Sequence, residues 1–508
     1  MNKIKFRIGI IIVLLLIINM APNLSGQLKE SNFNDFKDFR NYSDDNGNSL
    51  TRFNTILSYF EDSSHGSICK PYDVLISKIV NPGVTIYNED KCCDGYTLCS
   101  ILPISPNARF NSAFNIYSYS LLIDMNGNVV KKWDTDPRPV KMLPSGSIIS
   151  GIGIQGVWEI CNLTQFDWDG NVEWSFCNWT TVENGKNISR QHHDFQREGN
   201  PVGYYSPGQD FVENGKTLIL AHNTIYNLSI SFKELFYNDV IYEVYWNGTL
   251  TGFKWDASEH INEMGFDIKS RIGMWISPGG PGKGLLCPVG DILHLNSISY
   301  LGKNKWYDMG YEQFNPNNII ISSRHTNLLA IIDKETGNIV WKVGPTYPLN
   351  TEENKLGQII GPHHAHIIPE GLPGEGNILV FDNGGSAGYG LMGNPTCKRS
   401  FSKVIEFDPI TLEIVWEYQH KNGFSFLTGE YHKFFTLTMG SAQRLPNGNT
   451  LISESLSRRV FEVNPQKEIV WEYYYKMGYK IGRAYRVPPE WVPGNPADYN
   501  FWENSQLN

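Results

Sequence analysis

The sequence has no long run of basic residues, and its formal net charge is −9. A nucleic-acid groove or an anionic membrane surface calls for a concentrated cationic face, so neither is expected as a partner. An acidic total still leaves room for a local cationic pocket. Beyond the amino terminus no stretch reaches about 18 apolar residues, which excludes a further spanning helix of ordinary length. No helical period rivals the strand pattern described below. Cysteine is sparse, with eight in 508 residues. Cys92, Cys93 and Cys99 lack the partner pair that would complete a zinc pattern, so disulfides are expected of them rather than metal.

What is present is a chain 41% hydrophobic and 13% aromatic, ample for a large core. Lys3, Lys5 and Arg7 precede an apolar run from Ile8 to Ile18. That run is short for a bilayer span and suits a secretory h-region, with cleavage expected near Ser25-Gly26 and an uncleaved anchor as the alternative. Residues 1–26 are read as signal peptide or anchor. The body is then exported: periplasmic, extracellular or anchored on the outer face, touching membrane only through that segment. The cysteines agree with an oxidising compartment. Cys161 and Cys177 lie nearly symmetrically about Asp169-Gly170, a hairpin signal, and a cross-strand disulfide is expected between them. Glycosylation triplets at Asn41, Asn162, Asn178, Asn187, Asn227 and Asn247 fit an exported surface. Residues 27–115 form an amino-terminal extension. Its first part, to about residue 66, is rich in Asn, Asp and Ser and is expected to be partly disordered. Its second part carries cysteines and two short strands, Tyr72–Ile76 and Gly83–Tyr87, expected as a small added β module.

From about residue 118 a motif recurs: an apolar run, an Asp, a turn with Gly, and a run ending in Trp. Leu121-Leu122-Ile123-Asp124 leads to Trp133, Gln165-Phe166-Asp167 to Trp174, and, more loosely, Tyr242-Glu243-Val244 to Trp255. Ala330-Ile331-Ile332-Asp333 leads to Trp341, Val404 to Asp408 leads to Trp416, and Val460 to Asn464 leads to Trp471. Between copies stand turn-then-strand segments such as Leu445-Pro446-Asn447-Gly448-Asn449-Thr450-Leu451-Ile452. Each period supplies about four strands. One small sheet cannot bury both faces, whereas a closed ring of sheets buries them all, so the expectation is an all-β, six-bladed β-propeller over residues 116–508. Each Trp is expected to pack between neighbouring sheets.

Three of the twelve histidines fall in Gly361-Pro362-His363-His364-Ala365-His366. Such a cluster suits a metal, a nucleophile with its base, or a hydrogen-bonded corner. In a propeller the innermost strands converge on a central channel, which makes the strand entrances comparable. Gln191-His192-His193-Asp194-Phe195 opens one. Asp291-Ile292-Leu293-His294-Leu295-Asn296-Ser297 opens the next, with Ser322-Ser323-Arg324-His325 at that hairpin's far end. The fifth entrance, Met439-Gly440-Ser441, carries no histidine.

His-His-Asp, then Asp-x-x-His-x-Asn-Ser, then Ser-Ser-Arg, then a histidine pair followed by Asn377-Ile378-Leu379-Val380-Phe381-Asp382-Asn383-Gly384 resembles, in that order, the arylsulfate sulfotransferase family of exported six-bladed propellers. The resemblance spans roughly residues 118 to 490. It implies sulfuryl transfer from a phenolic sulfate ester to a phenol acceptor, with no nucleotide sulfate donor and no cofactor. By the family's Gln-His-x-Ala, its nucleophilic histidine, which forms a sulfohistidine, corresponds to His363; Pro362 stands where the family has Gln, and His364 is the fallback. His294 and Arg324 match the family's second histidine and arginine, and His193 its first histidine. Asn296, His364 and His192 are expected at the substrate, with Asn296 orienting His294. Nothing here fixes the oligomeric state, and a homodimer stays open.

The residue types agree with that chemistry. A neutral imidazole can attack sulfur and split one transfer into two steps. Arg324 offers a fork of donors to sulfate oxygens, and His193 and His294 can donate to those oxygens or protonate a departing phenolate. The constellation needs no metal; converging histidines can bind zinc or copper, but the cationic Arg324 disfavours a dication beside it. His222, His325 and His366 are expected to be structural. Asp382-Asn383-Gly384-Gly385 reads as a calcium loop or as a tight turn. Two rivals remain. A quinone-cofactor dehydrogenase is suggested by Asp-x-x-Thr-Gly-x-x-x-Trp from Asp333 to Trp341, though such enzymes commonly show eight repeats. A non-catalytic binding propeller is the other.

Overall fold

Runs of Ile, Val and Leu closed by Asp-bearing turns fold into antiparallel meanders, and the turns show why the Asp recurs. The Asp333 carboxylate accepts hydrogen bonds from the backbone N–H groups of Glu335 and Thr336 (3.1 and 2.7 Å). Asp124 does the same for Asn126 and Asn128, and Asp408 for Ile410 and Thr411. The repeated Asp is a turn builder that satisfies amides no ladder reaches.

The computed structural model describes residues 81–104, 117–155, 159–177, 179–181, 187–199, 203–232, 236–280, 290–347, 351–390, 394–419 and 434–499. All lie within one compact unit, Tyr59–Asn508. The amino-terminal signal segment, the leader to residue 66 and the strand expected at Tyr72–Ile76 lie outside the described residues. Among those described, no helix is long and apolar enough to cross a membrane.

Four blades stand as separate antiparallel sheets. One runs Leu295–Tyr300, Ile319–Ser323, Leu328–Ile332, Ile339–Val343. The next runs Pro362–Ile367, Ile378–Asp382, Lys403–Phe407, Ile414–Gln419. A third runs Ser441–Arg444, Thr450–Glu454, Arg459–Val463, Ile469–Tyr474. In the fourth the carboxy-terminal strand Tyr479–Val487 pairs with Tyr96–Pro103, followed by Tyr119–Ile123 and Val129–Trp133. The arrangement is all-β and propeller-like, but the expected six separate blades are not what forms. The strands of residues 141–176 and 191–256, with Gly290–Asp291, make one continuous nine-stranded sheet instead, because the strand Gln191–Arg197 pairs with Glu159–Phe166 through Gln191 opposite Ile160 and His192 opposite Glu159. Two meanders that sequence periodicity separates are thereby joined edge to edge.

Two further expectations change. Gly83–Tyr87, assigned above to an added module, pairs with Ile469–Tyr474 on the outer edge of the third blade, and Tyr96–Pro103 lies between the first and last strands of the ring. Of the extension's described strands, Tyr96–Pro103 joins the last strand to the first ones, and Gly83–Tyr87 becomes the outer edge of the third blade. The Cys161–Cys177 disulfide does not form, and no disulfide links the described cysteines. The hairpin register sets Leu163 opposite Phe176 and Thr164 opposite Ser175. Carried along, it puts residue 162, not Cys161, across from Cys177, so the two thiols leave opposite faces of the sheet.

The tryptophans pack between units as expected, with a polar handle. Trp174 Nε1 donates to the Trp246 carbonyl (2.8 Å), Trp255 to Gly337 (3.0 Å), Trp341 to Pro409 (3.0 Å) and Trp416 to Pro465 (3.1 Å). Trp471 donates across the closure to Met125 (2.8 Å). Trp133 meets Trp168 edge-on, centroids 5.5 Å apart. Between the 295–343 and 362–419 blades, Ile320, Leu329 and Ile331 interlock with Ala365, Ile367, Ile378 and Val380, all essentially buried. Each such Ile or Leu contributes about 1.5–3 kcal/mol of burial.

Candidate active site

At four strand entrances the chain does something L-residues avoid. His193, His294, His364 and Met439 all take left-handed backbone, with φ of 53°, 55°, 52° and 65°. A register shift accompanies three of them, between Gln191 and Phe195, Leu295 and Ser297, and His363 and His366. Each costs on the order of 1–3 kcal/mol, and such strain persists where surrounding structure holds it. The reversal re-aims side chains at the mouth of each strand and decides which histidine of a pair faces the others.

His363 is the most tightly specified. Its Nδ1 stands 2.6 Å from Asn383 Oδ1 and 3.0 Å from the Gly361 carbonyl. The Asn383 amide is itself oriented, because its Nδ2 donates to the carbonyls of Thr436 (2.8 Å) and Met439 (2.7 Å). Oδ1 therefore faces the ring, Nδ1 must carry the proton, and the lone pair is at Nε2. There it accepts only the Met439 N–H, at 3.2 Å. Burial, then the charge of Arg324, holds His363 well below the usual histidine range, so the ring is neutral.

Arg324 is buried, 2% exposed, and its Nε has no hydrogen-bond partner. Among the described residues its guanidinium makes no ion pair; Asp291 acts on it only at a distance, and burial lowers it to about 10. His294 connects to Arg324 through the backbone, where Arg324 N–H donates to the His294 carbonyl (3.2 Å). The His294 ring donates from Nδ1 to Asp291 Oδ2 (2.6 Å). Burial lowers its pKa while Asp291 opposes that shift. His193 lies edge-on to His294, centroids 4.7 Å apart, and burial with the neighbouring histidines keeps it well below the usual range. Arg324 thus lies near His294 and His363, and His193 joins the group through His294.

Asn296 and His364 are not aimed at them, and His192 meets only His193 of that group, through its Nδ1 (2.8 Å). Asn296, expected to orient His294, instead donates to the Pro362 carbonyl (2.8 Å) and accepts from Ser322 Oγ (2.9 Å). The left-handed turn at His294 resets the alternation, and Asp291 holds the ring in its place. His364 follows His363 on one strand and so points the other way. It meets His366 and Tyr485 (centroids 4.6 and 5.7 Å) and feels the charges of Arg483 and Lys141. That side holds its own network, with Asp194 bridging Lys141 (2.8 Å) and Arg483 (3.0 Å). His366 sits between the His364 carbonyl (2.9 Å) and the Tyr204 hydroxyl (2.8 Å), consistent with a structural role.

Sequence reasoning left Asn383 and Met439 without a role. The signal for Asn383 was present in Asp382-Asn383-Gly384-Gly385, read there as a calcium loop or a turn. Its Asp382 carboxylate is committed to Arg399 (2.6 Å) and the Ile360 amide (3.0 Å), and its Asn383 to His363. Met439 acts through its backbone, which no side-chain motif reveals.

Among the described residues two triads could hold a metal ion: His192, His222 and Asp239, and Asp291, His294 and His325, each with ligand atoms within 4.8 Å of one another. In the first, His192 and His222 stack at 3.6 Å, and burial raises Asp239 to about 7. The two groups meet where His192 Nδ1 and His193 Nδ1 stand 2.8 Å apart, one N–H donating to the other ring's lone pair.

Residues 210–476, more than half of the chain, match the family described as arylsulfotransferase (ASST). The matched segment holds His294, Arg324, His363 and Asn383 and begins after His193. No protein with a curated function matches the sequence. Solved structures similar in part include a protein of unknown function from Bacteroides caccae, 11% identical with a TM-score of 0.40 over 78% of this chain and 99% of that one. Apo AztD from Citrobacter koseri is 10% identical, TM-score 0.33, over 77% and 98%. A virginiamycin B lyase from Staphylococcus aureus is 10% identical, TM-score 0.28, over 71% and 78%. Likeness at such scores decides nothing about chemistry.

Proposed function

The chain belongs to the arylsulfotransferase family, and from that premise we propose that it moves a sulfuryl group from a phenolic sulfate ester to a phenol acceptor through His363. The observation that carries the reading is Arg324, a buried guanidinium with no ion-pair partner among the described residues, beside a histidine whose lone pair is fixed at Nε2. A buried cation of that kind calls for an anion, and a sulfate ester supplies a singly charged one with oxygens matched to the guanidinium fork.

In the first step His363 Nε2 gives its electron pair to sulfur, the sulfur–oxygen bond to the phenol breaks, and the phenolate leaves with that bond's electrons. The approach of sulfur replaces the long Met439 N–H contact. Asn383 accepts from Nδ1–H throughout and steadies the positive charge that the ring gains. His193 or His294 donates a hydrogen bond to the departing oxygen, and Arg324 holds the sulfuryl oxygens. In the second step the acceptor, as its phenolate, attacks sulfur and the nitrogen–sulfur bond breaks to restore neutral His363; the proton the acceptor gave up to solvent balances the one the released donor phenolate takes up. No nucleotide donor enters, which suits the export expected from the amino-terminal apolar run.

The test is nitrophenolate release from 4-nitrophenyl sulfate in the presence of a phenol. His363→Ala is expected to abolish release with the fold intact, a loss on the order of 10³-fold or more. Wild type incubated with donor alone and denatured at alkaline pH should carry one added sulfuryl mass on the peptide containing His363. Undiminished release by His363→Ala would sink the assignment.

A further inference from the structure

We propose that His192, His222 and Asp239 form a site for one divalent transition-metal ion, zinc foremost. The three residues stand on adjacent strands, Gln191–Arg197, Thr217–Ile225 and Phe236–Val244, with His222 directly opposite Asp239 in the register. They are 3%, 5% and 1% exposed. Among the described residues His192 Nε2, His222 Nε2 and Asp239 Oδ1 each lack a hydrogen-bond partner, and the three lie within 4.8 Å of one another. Nε2 of His192 is 3.3 Å from Asp239 Oδ1, and Nε2 of His222 is 3.8 Å from it. Ligand atoms about 2.0–2.1 Å from a tetrahedral zinc stand about 3.3 Å apart. A shared ion satisfies all three atoms at once, where a single proton could satisfy only one contact.

The surroundings are those of an oriented ligand set. His222 donates from Nδ1 to Glu159 Oε1 (3.1 Å), and Glu159 is anchored by Arg190. His192 engages His193 through its own Nδ1. Asp239 accepts the backbone amides of His294 and Leu295, which falls to its other oxygen because Oδ1 has no partner. Each ligand thus presents one free lone pair inward and is held by a hydrogen bond outward, the arrangement that fixes tautomers around bound metal. Two carboxylates, Glu159 and Asp239, face a single paired cation, Arg190, so a dication fits the local charge. Two imidazoles with one carboxylate suit zinc or a neighbouring first-row dication, and leave a fourth position open. Metal at His192 Nε2 places that ring's proton at Nδ1, where it donates to His193. The site therefore sets the His193 tautomer from outside the Arg324 cluster.

Zinc binding is read without substrate, so it stands or falls apart from sulfuryl transfer. The purified full-length protein is stripped with dipicolinate, equilibrated with zinc, dialysed and analysed by elemental mass spectrometry. We expect about one zinc per chain, lost in His222→Gln and Asp239→Asn and kept in His325→Gln, which lies in the other triad. Cobalt(II) in its place should give a spectrum of nitrogen and oxygen donors without a thiolate charge-transfer band, which sets aside the cysteines. Glu159→Gln, which keeps every ligand, should weaken zinc about 10- to 100-fold. It decides the matter if the ligand variants fail to fold. Wild type that retains no zinc, Asp239→Asn or Glu159→Gln with unchanged affinity, or loss on His325→Gln alone would overturn the site.

Discussion

Two groups of histidines share the entrances of neighbouring strands and differ in how their nitrogens are used. Around Arg324, His363 has both nitrogens engaged and a single tautomer, and His294 is held by Asp291. Around Asp239, three lone-pair atoms converge with no hydrogen-bond partner between them. Both groups are buried, and both lie in one fold built from one kind of strand. The difference is the charge in the middle. The first group surrounds a cation and awaits an anion; the second surrounds a carboxylate and awaits a cation.

That contrast can be broken most directly at Arg324. Arg324→Lys keeps a charge but loses the fork, and initial-rate kinetics with 4-nitrophenyl sulfate should show a loss of about 10²–10³-fold in kcat/KM. Zinc retention should not move. A variant that loses both would merge the two groups into one site.

Asn383→Ala tests whether tautomer control, rather than proximity, makes His363 different. The ring would keep its place beside Arg324 but lose its Nδ1 acceptor, and we expect kcat to fall about 10- to 100-fold. The carbonyls of Thr436 and Met439 would also lose the Asn383 donor, at a cost of about 1–3 kcal/mol in stability. Rates measured at a temperature well below the variant's melting point separate the two effects. An unchanged kcat would remove Asn383 from the machinery.

The smallest effect concerns His366, the histidine of the same stretch that faces neither group. Burial lowers it to about 4, against about 6.5 in an unfolded chain. Above pH 6.5 both states are neutral and the ring adds nothing to the pH dependence. Between 6.5 and 4 the unfolded chain binds a proton that the folded one refuses, so stability falls as pH drops, by about 3 kcal/mol in all for this one ring. Thermal melts from pH 7 to 4 should show that decline, and His366→Gln should flatten it by a few degrees. An equal slope in the variant would show that other buried histidines carry it.

How much of this was legible beforehand depended on distance along the chain. The Asp-Gly-Trp repeat announced meanders, because a turn built by Asp333 and a Trp that caps it lie within nine residues of each other. The histidines and Arg324 announced themselves by type. What could not be read was which of His363 and His364 faces Arg324. That choice is made by a left-handed backbone at His364 and by Asn383, held in turn by carbonyls more than fifty residues further on. The Cys161–Cys177 pairing failed for the same kind of reason: symmetry about a turn fixes proximity, but a register one residue off fixes the opposite face.

The amino-acid sequence by itself thus determined the all-β repeat, the tryptophan contacts and the set of groups available for chemistry, since these follow from local periodicity and side-chain type. Only the tertiary structure decided how the groups divide. Joining Gln191–Arg197 to its neighbour as one sheet and recruiting Tyr96–Pro103 into the closure are long-range pairings, whose backbone hydrogen bonds carry no side-chain signature. Within the joined sheet the pairing of Thr217–Ile225 with both its neighbours sets Asp239 beside His192 and His222, while Arg324 stays with His294 and His363. The physical reason is burial: once water is excluded, each nitrogen and oxygen must find a partner or a ligand, and only the folded neighbours determine which.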